Sequence, residues 1–150
     1  MCRFLAYLGY SPIGIGQLIE APSNSLINQS HARRGSMGGI NGDGFGLAWY
    51  NGTQDTEPGL FKSTQPAWND ANLRHLSRKI SSSCFMAHVR ASTVGDVSQD
   101  NCHPFSYGPY TFVHNGTPHS SLKCNPCYIF LKGLERRKPS EGFSGCRIII

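Results

Sequence analysis

The residue of greatest chemical interest in this sequence is Cys2, which directly follows the initiator Met1. Removal of Met1 would leave a thiol and a free α-amino group on one residue. An α-amine has a pKa of about 7.7–8.0, so a good fraction is neutral near pH 7 and can take the thiol proton, directly or through one water. The pattern predicts an amine-assisted nucleophile. The alternative, a structural cysteine at the start of a strand, is favoured by position alone.

Two other positions at the ends of apolar runs carry groups suited to binding a substrate. Asn115 and Gly116 follow the run at 110–114. The Asn side-chain amide can donate to an oxyanion, and Gly lets backbone approach closely; an ordinary Asn-Gly turn is the alternative. Arg90 ends the run at 84–90, where its guanidinium could hold a carboxylate bidentately. A surface salt bridge is the alternative for Arg90.

Histidines and further cysteines supply weaker signals. Three histidines are candidates for acid–base catalysis, although a hydrogen-bonded structural role is the better default: His88, His103 and His114. Near the end of the chain, a lone CxxC at 124–127 could supply zinc ligands together with His119 and Cys146. No second paired motif accompanies it, so we expect neither a metal ion nor another cofactor.

The elements that must position these residues are mostly strands. Continuous apolar runs predict buried strands at 3–7, 45–50, 84–90 and 110–114, and 60–64 is the expected return strand after an Asn51-Gly52 turn. The clearest helix covers 68–81, with Asn69 or Asp70 as its cap. A loop is expected at 9–16 and in the glycine-rich segment 33–44, and 18–30 indicates a short helix only weakly.

Length and composition indicate one globular domain with many turns. The chain has 150 residues, 17 Gly, nine Pro and a net charge of +5. Residues 1–116 carry eight basic and seven acidic side chains, whereas 117–150 carry six basic and two acidic ones. The basic character is therefore concentrated at the end of the chain, which removes the electrostatic support for nucleic-acid binding. No signal peptide or membrane span is visible, so we expect a cytoplasmic protein with free thiols.

Taken in order along the chain, these segments resemble the class II glutamine amidotransferases, which belong to the N-terminal-nucleophile hydrolases. The resemblance is strongest to the YafJ-like stand-alone branch, which includes hydrolases of γ-glutamyl amides. It covers residues 1–116. The matching segments are MCRFLAYLG at 1–9, NGDGFGLAWY at 41–50, PAWNDANLRHLSRKI at 66–80, AHVRAST at 87–93, NCHPF at 101–105 and FVHNG at 112–116.

The resemblance implies a role for each matching position. It implies that Cys2 is the nucleophile, that Arg90 and Thr93 bind the substrate α-carboxylate, and that Asn115 and Gly116 form the oxyanion hole. Residues 43–46 would lie beside the nucleophile. Val94 replaces a histidine that contacts the carboxylate in several amidotransferases. The implied substrate is glutamine or another γ-glutamyl small molecule, and the implied fold is α+β, a four-layer αββα sandwich.

The resemblance stops after Gly116, where the family continues with a helix and a TDSE-like acidic motif. Neither Glu135 nor Glu141 lies in such a motif. We therefore expect 1–116 to be the front part of an incomplete amidotransferase domain and 117–150 to be a basic, cysteine-rich tail of separate origin. Two functions follow. One is a γ-glutamyl amide hydrolase; the alternative is a non-catalytic fragment or a subunit that binds a separate protein.

Overall fold

The computed structural model describes residues 2–31, 40–52, 56–92 and 95–115 with their side chains, and 127–132 and 147–149 as backbone alone. Strands outnumber helices in the described residues. The strands are β1 (Arg3–Gly14), β2 (Phe45–Tyr50), β3 (Gly59–Ser63), β4 (Ser81–Val89), β5 (Phe105–Tyr107), β6 (Tyr110–Asn115), β7 (Cys127–Lys132) and β8 (Arg147–Ile149). The helices are α1 (Gly16–Ile19), α2 (Leu26–His31) and α3 (Ala71–Lys79), with a 3-10 turn at Ala67–Asn69. The fold thus mixes α and β elements.

The strands form two antiparallel sheets. The first has the order β3-β2-β4-β1-β8, and the second has the order β5-β6-β7. In the first sheet Val89 is opposite both Arg3 of β1 and Phe45 of β2. This register brings the start of β1, the start of β2 and the end of β4 together at one end of the sheet. The expected boundary at Gly116 lies outside the described residues, and β7 and β8 beyond it pair with β6 and β1.

The expected loop at 9–16 is wrong for most of its length, because β1 continues to Gly14. Leu8 is opposite Cys84, but Ile13 is opposite Ser82, so the intervening residues bulge out of the ladder. The glycines and Pro12 that indicated a loop therefore mark this irregularity. Ile13 and Gly14 return to pair with the first residues of β4, which begins three residues earlier than its apolar run predicted.

The predicted helix at 68–81 is confirmed in its position but is shorter than expected. Asp70 is its cap, because its carboxylate accepts a hydrogen bond from the Leu73 N–H at 2.8 Å. Ile80 is already extended, and the next residue opens β4. The 60–64 strand is confirmed as β3, paired with β2. Strand β5 was not predicted, since its three residues carry too little pattern.

The helices cover one face of the five-stranded sheet. Apolar side chains at alternate positions of β1, β2 and β4 pack there against residues of α1, α2 and α3. Buried members of this cluster include Leu5, Leu47, Phe85, Ile19, Leu26 and Leu73. Within the described ranges, no helix reaches the length and apolarity that a bilayer crossing requires.

The second sheet covers the other face. Its contact is a small cluster in which Val113 of β6 packs on four residues of the first sheet: Phe4, Ala6, Ala48 and Met86. Gly46 lies on this face, and a Cβ on it would run into the backbone carbonyl of His103. The close approach of the chain at His103 therefore requires glycine at this position. The first sheet thus has helices on one side and a second sheet on the other.

Candidate active site

Cys2 lies immediately before β1. It is next to the corner that follows β4, which consists of residues 90–92. Its Sγ atom is 3.4 Å from the Ala91 backbone nitrogen and 3.5 Å from the Ala91 carbonyl oxygen. The Ala91 N–H can therefore donate to the sulfur, while the thiol can donate to the carbonyl. Cys2 as a whole is half-buried.

Asn115 reaches Cys2 from the second sheet. Its side-chain nitrogen donates to the Cys2 backbone carbonyl at 2.6 Å, across a separation of 113 residues. A carboxamide nitrogen carries two hydrogens, so this bond uses only one of them. The structure thus brings together the predicted nucleophile and the predicted oxyanion donor.

Arg90 begins the corner beside Cys2, and its side chain is almost fully buried. The guanidinium donates to the Asp96 carbonyl at 3.0 Å and to the Ser92 hydroxyl at 3.2 Å. These bonds turn the side chain toward the segment that follows β4. The predicted alternative for Arg90, a surface salt bridge, does not fit its burial.

Three residues tied to the resemblance lie outside the described residues: Thr93, Val94 and Gly116. Their predicted roles stay predictions. The CxxC side chains, His119 and Cys146 also lie outside the part with described side chains. In that part, no cluster of three or more His, Cys, Asp or Glu residues could hold a metal ion.

The three candidate histidines form one cluster between the sheets. The ring centroids of His88 and His103 are 4.5 Å apart, as are those of His103 and His114. Burial lowers the pKa of His88 well below its usual range and that of His103 to about 4, and the neighbouring histidines and Arg90 add to both effects. The packing of the three rings fits a structural role, but among the described residues the hydrogen bonds expected for that role are missing at both ring nitrogens of His88.

The buried cysteines differ chemically from Cys2. Burial raises the pKa of Cys84 to about 12 and also raises that of Cys102. Neither thiol is therefore a reactive nucleophile near neutral pH, because the thiolate is the reactive form. Of the cysteines with described side chains, Cys2 is the one placed for chemistry.

Sequence reasoning missed the contacts that hold the site in place. The Asp43 carboxylate accepts a hydrogen bond from the Ser92 N–H at 2.6 Å. The Arg3 guanidinium donates to the Gln29 carbonyl at 2.7 Å and to the side chain of buried Asn41. The NGDGFG segment marked the region of Asp43, but nothing in its spacing indicated which atom the carboxylate would meet.

Comparisons with known proteins identify the family of the chain. A family profile described as "Glutamine amidotransferases class-II" matches residues 17–127. The chain therefore belongs to the class II glutamine amidotransferase family, which confirms the resemblance seen in the sequence motifs.

Individual relatives show how much of the chain is shared with other proteins. It is 48% identical over 124 residues to the "Probable glutamine amidotransferase DUG3" of Saccharomyces cerevisiae, covering 77% of this chain and 34% of that protein. It is 33% identical over 118 residues to the "Gamma-glutamyl-hercynylcysteine sulfoxide hydrolase" of Mycobacterium tuberculosis, covering 77% of this chain and 49% of that protein. The chain thus spans between a third and a half of the length of these relatives.

A solved structure is also similar. A glutamine aminotransferase class-II domain protein from Silicibacter pomeroyi has 30% sequence identity and a TM-score of 0.49, covering 77% of this chain and 37% of that one.

Proposed function

We propose that this chain hydrolyses the γ-amide of glutamine or of another γ-glutamyl small molecule through a thioester on Cys2. One observation carries the proposal: the Cys2 thiol, the Asn115 amide and the corner that bears Arg90 lie together. A nucleophile, an oxyanion donor and a carboxylate-binding cation are the groups that this reaction requires. Family membership supports the same reaction class.

The first half of the reaction forms the thioester. Removal of Met1 frees the Cys2 α-amine, which takes the thiol proton. The sulfur then attacks the γ-carbonyl carbon and forms a C–S bond. Asn115 stabilises the resulting oxyanion through the side-chain hydrogen that its bond to Cys2 does not use, together with the Gly116 N–H. The C–N bond breaks, and the ammonia or amine leaves with a proton from the α-ammonium group.

The second half releases the product. Water attacks the thioester carbonyl, with the Cys2 α-amine as the base. The C–S bond then breaks, and the sulfur takes up the proton. Glutamate leaves, and the Cys2 thiol is restored. Arg90 would hold the substrate α-carboxylate throughout, which fixes the γ-carbonyl against the sulfur. Neither half of the reaction is an oxidation or a reduction.

The choice between glutamine and a larger γ-glutamyl compound rests on the relatives. One of them is named as a hydrolase of γ-glutamyl-hercynylcysteine sulfoxide, and another as a probable glutamine amidotransferase. We propose that the γ-glutamyl half is recognised here and that the leaving amine varies. We also propose that the fold is part of the four-layer αββα sandwich. The helices on one face of the first sheet and the second sheet on its other face support this proposal.

The test compares the purified chain with its Cys2→Ala variant on glutamine and on a panel of γ-glutamyl amides. N-terminal sequencing first establishes whether Met1 has been removed. We expect ammonia or amine release from the parent chain and none above background from Cys2→Ala. Equal release by both would reject the mechanism. Absence of release from a folded chain with a free Cys2 amine would favour the alternative, a partner-binding chain without activity.

A further inference from the structure

The guanidinium of Arg90 is held by the chain that follows it. One terminal nitrogen, Nη1, donates to the Asp96 carbonyl at 3.0 Å, and the other, Nη2, donates to the Ser92 hydroxyl at 3.2 Å. A guanidinium is planar, and its N–H donors point in fixed directions. Because the two bonds lie at its two terminal nitrogens, they set the orientation of the whole plane.

The Ser92 hydroxyl is itself anchored. It accepts the bond from Arg90 and donates to the Gly95 carbonyl at 3.0 Å. A hydroxyl has one hydrogen to donate and two acceptor sites, so both bonds form together. Gly95 has a φ of +83°, a conformation that favours glycine, where the chain comes back to the corner. The serine side chain therefore links the guanidinium to this returning chain.

The second partner of the guanidinium is fixed in another way. The Asp96 carbonyl also accepts a bond from the Asn101 side-chain nitrogen at 3.0 Å. A backbone carbonyl is present whatever residue occupies position 96. The hydroxyl, in contrast, requires serine or threonine at position 92. Of these two contacts of Arg90, the one with Ser92 is therefore the one that depends on the acceptor's side chain.

The orientation of Arg90 matters because the residue is buried. Its relative exposure is 6%, and both of the partners named above are neutral. They direct the guanidinium without neutralising its charge. A carboxylate binds a guanidinium most strongly through two parallel N–H···O bonds, which requires the two groups to share a plane. A guanidinium with a fixed plane is therefore a better carboxylate ligand than one that rotates.

We propose that Ser92 is a positioning residue for Arg90: its hydroxyl fixes the guanidinium plane for the α-carboxylate of the γ-glutamyl substrate. The inference rests on the proposed function, in which Arg90 binds that carboxylate. The α-carboxylate and the γ-carbonyl are at opposite ends of the γ-glutamyl group. Loss of the hydroxyl should therefore weaken binding of the substrate and of the transition state alike, which raises KM and leaves kcat nearly unchanged.

Three variants of the full chain test the role of the hydroxyl. Ser92→Ala removes it and Ser92→Thr keeps it, while both retain the backbone N–H that binds the Asp43 carboxylate. Ser106→Ala is the matched control, because Ser106 is an exposed serine on β5. Amide NMR spectra show whether each variant has the fold of the parent chain.

The first measurement needs no substrate. NMR of the ¹⁵N-labelled chain would observe the Arg90 side chain, with its signals assigned by comparison with Arg90→Lys. A fixed guanidinium gives separate Nη signals, whereas a rotating one gives merged or broadened signals. We expect separate signals in the parent chain, Ser92→Thr and Ser106→Ala, and merged signals in Ser92→Ala. Separate signals in a folded Ser92→Ala variant would overturn the inference.

The second measurement follows binding at the same signals. L-glutamate is the probe, because it carries the α-carboxylate and has no amide to hydrolyse. The dissociation constant should rise about fivefold in Ser92→Ala, the size expected for the loss of one hydrogen bond. Ser92→Thr and Ser106→Ala should match the parent chain. With L-glutamine as substrate, KM should rise by a similar factor in Ser92→Ala. Unchanged affinity, or a loss confined to kcat, would contradict a positioning role.

Failure of this inference can be told apart from failure of the proposed function. Glutamate binding and γ-glutamyl hydrolysis by the parent chain, with unchanged Arg90 signals and affinity in Ser92→Ala, would overturn the role of Ser92 and keep the hydrolase. Merged signals in Ser92→Ala, with no glutamate binding by the parent chain, would reject the proposed substrate and with it the role of Ser92 in binding it. The contact between Ser92 and Arg90 would then be structural.

Discussion

The two faces of the five-stranded sheet are built differently. The face under the helices carries large apolar side chains, and its buried cluster contains thirteen residues. The face under the second sheet has a buried apolar cluster of only five residues and also carries the buried polar residues Ser82 and His88. The first face supplies most of the hydrophobic stabilisation. Cys2 meets Asn115 at one end of the second face. We therefore infer that the face under the helices stabilises the fold and the face under the second sheet carries the candidate site.

Small residues explain the difference. Gly46, Ala48 and Ala6 let the second sheet approach the first closely. Buried hydroxyl groups find partners there: the Tyr50 hydroxyl lies 3.1 Å from that of Thr111, and the Ser82 hydroxyl donates to the Tyr50 carbonyl at 2.8 Å. The helix-facing side is held by the packing of apolar side chains. The other side is held partly by hydrogen bonds.

The largest effect on the free energy of unfolding is expected from truncating a side chain in the helix-facing core. Phe85 is completely buried in the thirteen-residue cluster. Phe85→Ala should lower the free energy of unfolding by about 3–5 kcal/mol, because it removes a large apolar side chain and leaves a cavity. Urea denaturation would measure it, with exposed Leu60→Ala as the matched control. A loss no larger than that of the control would contradict the assignment of this face as the main source of stability.

A smaller effect is expected where the two sheets touch. Gly46→Ala places a methyl group against the His103 carbonyl and should cost about 1–3 kcal/mol through overpacking. Gly14→Ala is the matched control, since the nearest atom to its new Cβ is 3.8 Å away on Gln17. Equal stability of the two variants in urea would show that the sheets are not in close contact at Gly46.

The pH dependence of stability should come mainly from the face that carries the histidines. The pKa of His103 is about 4 and that of His88 is well below 6.5 because of burial and of nearby His114 and Arg90. The unfolded chain therefore binds more protons than the folded one below about pH 6.5. Stability from these groups is fully present above pH 6.5 and is lost as the pH falls from there toward 4.

Urea unfolding between about pH 5 and 7 tests this expectation. The slope of stability against pH should be shallower in His103→Gln than in the parent chain. Exposed His75→Gln should keep the parent slope. Identical slopes in all three proteins would contradict a neutral, buried His103.

The smallest expected effect returns to the helix-facing side. Asp70→Ala removes the cap of α3 and should cost about 1 kcal/mol, since the Leu73 N–H loses its acceptor. Asp100→Ala, at an exposed position outside any helix, should change stability little. Thermal unfolding of the two variants would separate a capping effect from a general charge effect, and equal melting temperatures would rule the cap out.

The sequence predicted the strands and the residues at their ends better than the contacts between them. Apolar runs located β2 and β4, because strands buried on both faces are continuously hydrophobic. The run at 110–114 located β6, although only Thr111 and Val113 of that strand are fully buried. The extension of β1 past Gly9 could not be predicted, because only pairing with Ser81 and Ser82 makes Ile13 part of a strand. The family motifs identified Cys2, Arg90 and Asn115 as candidates. The contact of the Asp43 carboxylate is with the Ser92 backbone N–H, which no side-chain pattern encodes.

The central claim is that Cys2 attacks a γ-glutamyl carbonyl, and a covalent intermediate tests it most directly. The chain would be mixed with glutamine or a γ-glutamyl amide, quenched in acid within the first turnovers, digested and analysed by mass spectrometry. We predict a γ-glutamyl group on the N-terminal peptide, located on Cys2 and absent from the Cys2→Ala variant. Turnover without this adduct, or an adduct on another cysteine, would contradict the account.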